Sequence, residues 1–403
     1  MWTDLSVRDE GPLAPFVEGY VRCLEQRGYS SRSVRERVDV VGRLNRWLVV
    51  EGFSAAELTA TRAEQFLVVW RSAARHRVPT MRTLLPLFDY LRERQVLAPE
   101  QSPTATPLEE LLSRYRHYLT HDRGLAPLTV LRYLRMARRF LVRRSGQTGG
   151  ANGTHGLDGA EINCYLLECC SRLVIESAKR EAADLRSLLR FLYLQGITAT
   201  DLGLAMPPVA GWRDTRLPTT MSAAEVAALL EGCDRSCPGG LRDFAVLSLL
   251  GRLGLRSGEV AALRLGDIDW RAGEILVRGK ARRDDRLPLT VEAGEAIAAY
   301  LRHGRPPSQC PQVILTSYAP FRGIHPSSIT RVVYRACRRA GLAAVGGHRL
   351  RHALATEMLR QGGDLVEISQ VLRHRDLATT SVYAKLDRAA LRTVARPWPG
   401  TER

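Results

Sequence analysis

His348-Arg349-Leu350-Arg351-His352-Ala353-Leu354-Ala355-Thr356 reads as the opening of a helix, and further on the chain runs through Val371-Leu372-Arg373-His374. Tyr383 follows nine residues later, across a short Thr-rich turn. Residues three apart on a helix lie on one face, so His348 and Arg351 are expected to project together. Two groups upstream have similar character. Gly254-Leu255-Arg256-Ser257-Gly258-Glu259 sits between two apolar segments, and its glycines allow the sharp turn that would bring Arg256 to the start of the next helix. Gly279-Lys280-Ala281 begins a stretch, ending at Leu289, that fits a hairpin turn with Lys280 on its shoulder. Imidazole, guanidinium, ammonium and phenol groups thus recur at ordered positions of the C-terminal third.

Around these groups the pattern is mixed. Ser222-Ala-Ala-Glu225 is a capping box opening a helix through Leu230. Helices are expected at about 241–252 and 257–264. Three short strands fit Ile268–Trp270, Glu274–Val277 and Asp285–Leu289, and further helices fit 292–303, 326–340, 348–361 and 364–372. The class is α+β, with a small antiparallel sheet among helices.

The preceding residues read as all-helical and as two copies of one unit. Arg27-Gly28-Tyr29-Ser30 matches Arg123-Gly124-Leu125-Ala126, and each turn leads into a helix with apolar residues at three- and four-residue spacing. These are Val34, Val38, Val41, Leu44 and Leu48 in the first, and Val130, Leu134, Ala137 and Leu141 in the second. The blocks Leu58-to-Leu67 and Leu157-to-Leu166 correspond next, then Met81-to-Leu85 and Leu185-to-Leu189. The second copy carries an insert, Ser145 to Gly156, whose Gly, Asn and Thr content predicts a mobile loop. Breaks at Pro99–Pro107 and Pro207–Thr220 divide the chain into residues 1–103, 104–215 and 216–403.

Charge follows that division. The chain of 403 residues carries +17, of which +2, +4 and +11 fall on the three segments in order. Such a balance points to a polyanion, with nucleic acid first. Arginine accounts for all but three of the basic residues (Lys179, Lys280 and Lys385), a skew that reads as genomic and singles out each lysine. No run of about 18 apolar residues occurs, so no membrane span is expected. Met1 to Glu10 is acidic without an apolar core, so no signal peptide is expected. The eight cysteines lack metal-ligand spacing and read as reduced thiols of a cytoplasmic protein.

Taken together, the C-terminal motifs resemble those of the tyrosine recombinases, the family of phage integrases and Xer-type resolvases. The resemblance covers residues 216–403, and residues 104–215 look like the family's helical, SAM-like core-binding domain. It places the family's catalytic set on Arg256, Lys280, His348, Arg351, His374 and Tyr383. Arg373 stands where a glycine is often found, and Ala281 where another is. The implied activity is site-specific breakage and rejoining of DNA through a 3′-phosphotyrosine. Arg256 and Arg351 would clamp the phosphate oxygens. His348 would accept the phenol proton, Lys280 would protonate the leaving 5′ oxygen, and His374 would help place the phosphate. No cofactor and no metal ion are implied. The implied partner is double-stranded DNA with an inverted-repeat core site, bound by a homo-tetramer, with sister recombinases as further candidates.

Each residue also has a plain reading. Tyr383 alone would be core or surface, His348 or His374 a satisfied structural histidine, and Lys280 a solvated hairpin charge. Glu259 reads as a cap or ion-pair partner; Arg349, His352 and Arg375 read as surface or packing residues. Two other functions share parts of the pattern: a type IB topoisomerase-like enzyme and a non-catalytic accessory subunit. Arg132, Arg135, Arg138 and Arg139 are candidate DNA contacts in the second segment, and Arg32, Arg35, Arg43 and Arg46 form a basic face in the first. That first segment is expected to contact either more DNA or protein.

Overall fold

The computed structural model describes residues 10–73, 79–97, 106–148, 153–209, 221–279 and 284–373. The chain divides into two compact units, one made of Met1–Ala98 with Arg216–Arg403 and the other of Pro99–Thr215.

In the first unit, α1 (Ala14–Gln26), α2 (Ser31–Val50), α3 (Ala60–Ala73) and α4 (Met81–Glu93) enclose a core of their own. Gly28 turns with φ +80°, and Ser30 caps α2 by accepting a hydrogen bond from the Ser33 amide. All five apolar residues singled out along α2 are buried. Asn45 reaches back from α2, accepting from the Leu13 amide at 2.8 Å and donating to the Glu10 carbonyl at 3.1 Å. This buried amide fixes where α1 begins.

The rest of that unit holds α9 (Ala223–Glu231), α10 (Pro238–Gly251), α11 (Ser257–Ala262), α12 (Val291–Ala299), α13 (Pro326–Arg339), α14 (His348–Arg360) and α15 (Leu365–Leu372). Three strands, β1 (Ile268–Asp269), β2 (Glu274–Arg278) and β3 (Asp284–Pro288), pair antiparallel in the order β1-β2-β3. Ile275 lies opposite both Ile268 and Leu287, so one face of β2 enters the core with Val277 while the other stays wetter. The capping box at Ser222 and Glu225 is present, and the expected elements occur within a few residues of their predicted limits. Asp243 on α10 accepts from Arg242 at 2.7 Å and from Arg335 at 3.3 Å, tying α10 to α13.

The second unit contains α5 (Pro107–His117), α6 (Pro127–Thr148), α7 (Gly159–Cys170) and α8 (Ile175–Leu194). Val130, Leu134, Ala137 and Leu141 are buried in its core. Of the insert expected as a mobile loop, residues 145–148 and 153–156 are described. Ser145 to Thr148 continue α6, and the buried Arg144 donates to the carbonyls of Gly153 at 2.9 Å and His155 at 2.8 Å. A guanidinium has donors enough to hold such a strand of loop in place.

Three of the four candidate DNA contacts on α6 are ion-paired. Arg132 pairs with the buried Asp184 at 2.6 Å, Arg138 with Glu109, and Arg139 with Glu181. Burial pushes the Asp184 carboxyl up to about 6, although Arg132 beside it pulls the other way. Losing Arg132 to a phosphate would strand that carboxylate. Arg135 is exposed and has no acidic partner among the described residues, which leaves it the one of the four free to reach DNA. In the first segment, Arg32 and Arg43 likewise face Glu36 and Asp39. Among the described residues no helix is long and apolar enough to cross a membrane.

Candidate active site

Arg256, His348 and Arg351 are brought together by two helix starts that abut. Gly254 has φ +61°, and a side chain there would run into Leu372 and Leu354, at 2.8 and 3.0 Å from an added Cβ. Only glycine meets both demands, and the turn it makes delivers Arg256 as the N-cap of α11. Gly347 precedes α14, and a Cβ on it would lie 2.8 Å from the Ser257 hydroxyl. The first turns of α11 and α14 are therefore in contact.

Arg256 keeps 42% of its side chain exposed, whereas Glu259, its partner, keeps 8%. Glu259 accepts from the Arg256 guanidinium at 2.7 Å and from the Arg256 amide at 2.8 Å. It also accepts from Arg373 at 2.7 Å. Arg373 ends α15 in the left-handed conformation, φ 54° and ψ 49°, a backbone that glycine adopts most easily. Here an arginine takes it and turns its side chain inward, 7% exposed, between Glu259 and Asp285 of β3. The Arg373 carbonyl accepts from Arg256 at 3.4 Å, and one Arg373 nitrogen, Nη1, has no hydrogen-bond partner among the described residues. Glu259 therefore joins two guanidiniums, one open to solvent and one behind it. The sequence showed Arg373 only as a departure and Glu259 as a cap or ion-pair partner, without naming the second partner. The signal that links them was the arginine itself at a helix end where its backbone is disfavoured.

Arg351 behaves unexpectedly. It is fully buried, and its guanidinium donates to the Gly254 carbonyl at 2.5 Å and to the Leu372 carbonyl. It therefore rivets the turn before α11 to the end of α15. His348 lies at the surface, its ring edge-on to His352 with centroids 4.2 Å apart. Desolvation, then the charges of Arg351, Arg256 and Arg349, hold its pKa below the ordinary 6.5. These causes favour the neutral imidazole, the form able to accept a proton. Lys280, His374 and Tyr383 lie outside the described residues. No group of His, Cys, Asp and Glu among the described residues is arranged to hold a metal ion.

The profile of the Phage integrase family matches residues 219–389, a span that includes all six candidate positions. A chain of Sinorhizobium fredii named for integrase/recombinase activity, y4rA, is 37% identical over 401 residues, covering 98% of this chain and 97% of that one. The tyrosine recombinase XerD of Mycobacterium tuberculosis is 33% identical over 305 residues, covering 72% of this chain and 96% of its own. The crystal structure of the XerH site-specific recombinase bound to a palindromic difH substrate superposes with a TM-score of 0.56 at 18% identity, covering 72% and 97% of the two chains. That last likeness concerns the fold alone. With a full-length relative and a tyrosine recombinase both above 30% identity, this chain belongs to the phage integrase family of tyrosine recombinases.

Proposed function

We infer that the protein is a site-specific DNA recombinase in which Tyr383 is the nucleophile. The observation that carries this reading is the guanidinium pair joined by Glu259, with the His348 imidazole at the neighbouring helix start. The phenol of Tyr383, with a pKa of about 10 when free, gives its proton to His348 as its oxygen attacks phosphorus. The phosphorus–O5′ bond breaks, Lys280 protonates the departing oxygen, and the DNA is left on the enzyme as a 3′-phosphotyrosine. A 5′ hydroxyl from the partner strand then reverses these transfers, so the energy of the cut bond is kept. Arg256 holds the nonbridging oxygens from its exposed position, and preorganised charge of this kind supplies much of the rate. Arg351 joins it only once the Gly254 or Leu372 carbonyl gives up its bond. Arg373 is a positioning residue, acting on Arg256 through Glu259. His374 helps seat the phosphate.

In this reading the chain works as three parts, 1–103, 104–215 and 216–403, and four copies join two inverted-repeat DNA sites in the cytoplasm. The extra N-terminal segment favours a mobile-element role, in integration or transposition, over chromosome resolution.

The test is to trap covalent adducts in cells carrying the gene with its native flanking DNA, digest them, and find the nucleotide-bearing residue by mass spectrometry. The expected result is a nucleotide on Tyr383 and a defined inverted repeat in the attached ends. A nucleotide on any other side chain, or DNA ends without a common site, would overturn the assignment. The pH profile supplies a second check. With the His348 pKa held below its ordinary value, the acid-side decline of single-turnover cleavage should have its midpoint below about pH 6.5. A decline already complete at about pH 7 would exclude His348 as the base.

A further inference from the structure

We propose that the first helical segment completes a second phosphate-binding cleft on the catalytic segment, so that the two grip the DNA backbone jointly. The proposal rests on the DNA-recombinase reading above and assigns its N-terminal segment a direct part in it.

The two segments are joined by an apolar seat. Residues 315–323 form a loop closed by a bridge between Leu315 and Gly323, and Ala319 at its tip packs against the core of α1–α4. Beside it the Phe321 ring lies over Gly28, so close that a Cβ on that glycine would be 2.5 Å from the ring. The equivalent turn of the second helical unit makes a useful comparison. Gly124 has φ +58°, but nothing lies within 4 Å of where its Cβ would be. Gly124 thus serves backbone geometry alone, whereas Gly28 serves geometry and also clears room for another segment's ring.

Next to this seat lies a cleft of about 760 Å³ whose lining includes Arg82 of α4, Arg322 of the loop, and His325, Ser327, Ser328 and Arg331 at the start of α13. None of its lining residues is acidic. Arg82, Arg322 and Arg331 are all exposed, and none has a carboxylate partner among the described residues. Elsewhere in the first segment Arg22, Arg27, Arg32, Arg43 and Arg62 each face an acidic side chain. Arg331 is steadied by donating to the Ser328 hydroxyl at 2.7 Å. Three unneutralised guanidiniums and several hydroxyls in an open, polar cleft suit a polyanion with separated charges more than a small apolar ligand. The other wall is α11, through Gly258 and Ala261, and the N-cap of that helix is Arg256. Phosphates held here would therefore lie along the same duplex as the phosphate at Arg256.

The experiment measures binding of the full-length protein to a fluorescent duplex of about 30 base pairs and arbitrary sequence, between about 50 and 200 mM NaCl. Each phosphate contact adds about 0.9 to the slope of log affinity against log salt. Arg82→Ala should reduce the slope by about one and weaken binding several-fold at low salt, with an unchanged melting temperature. Phe321→Ala should lose a similar slope without removing any charge, because Arg82 is then no longer held over the cleft. Arg22→Ala, which removes the same charge where Glu18 already faces it, should leave the slope unchanged. If Arg82→Ala behaves like Arg22→Ala, the cleft takes no phosphate. The proposal also fails if Arg82→Ala spares the slope but abolishes self-assembly on DNA, which would give the cleft to a protein partner. A wild-type protein that binds no duplex at all would instead overturn the DNA reading, whatever Arg82 does.

Discussion

Tyr383→Phe is expected to bind its DNA site with wild-type affinity and to form no covalent adduct. The substitution removes one oxygen and keeps the ring, so the phosphate contacts that set affinity remain. What it removes has no substitute: a hydroxide from water would have to attack instead, without the positional advantage of a tethered nucleophile. The loss should exceed about 10⁴-fold in single-turnover cleavage, or about 5 kcal/mol of barrier. Gel mobility for binding and a denaturing gel for adducts measure the two quantities on one sample. Adducts persisting in the variant would move the nucleophile elsewhere. Affinity falling together with cleavage would show that the phenol anchors the DNA and leave its role in attack undecided by this variant.

Arg373→Gly is expected to reduce the cleavage rate about 10²-fold while leaving DNA affinity nearly unchanged, a loss of about 3 kcal/mol in the transition state. Glycine adopts the left-handed backbone of this helix end more easily than arginine does, so the turn itself is preserved. What disappears is the guanidinium behind Glu259. That carboxylate, 8% exposed, is left with Arg256 as its one strong partner, and Arg256 is drawn toward it and away from the DNA. The vacated space is the size of a guanidinium ion and faces a carboxylate. Millimolar guanidinium should therefore restore part of the rate to the glycine variant and none to wild type. A merely structural role would give a lower melting temperature with no rescue. Full activity in Arg373→Gly would remove Arg373 from the positioning of Arg256.

The regular elements were legible because they rest on local rules. The capping box at Ser222, the apolar spacing along α2 and α6, and the alternation through β2 each depend on neighbours in sequence. The pairings of the arginines do not. Arg132 meets Asp184 across 52 positions, Arg373 meets Glu259 across 114, and Arg351 meets the Gly254 carbonyl across 97. In a chain this rich in arginine, no single guanidinium announces whether it will face water, a carboxylate or a backbone carbonyl. For that reason the ion pairs by which Arg132, Arg138 and Arg139 hold α6 to its neighbours were not readable. The bonds from Arg144 to the Gly153 and His155 carbonyls were likewise not readable from composition. The motif positions themselves were readable as a family pattern, and Arg256, His348 and Arg351 do converge. Which of them is open to a substrate was not readable, because exposure is a property of the packed core.

The burial of Arg351 has an evolutionary consequence. An arginine side chain keeps its charge under any ordinary condition, so once enclosed it must be solvated by the protein itself. The carbonyls of Gly254 and Leu372 provide that solvation, and in return the guanidinium holds the two ends of the site together. Replacing it would damage folding before chemistry could be selected. A copy of this gene that had lost its nucleophile and was drifting toward inactivity would therefore be among the last to lose this arginine. In surveys of genomes littered with decaying mobile elements, its presence testifies to an intact fold, and only the exposed members of the set testify to a working enzyme.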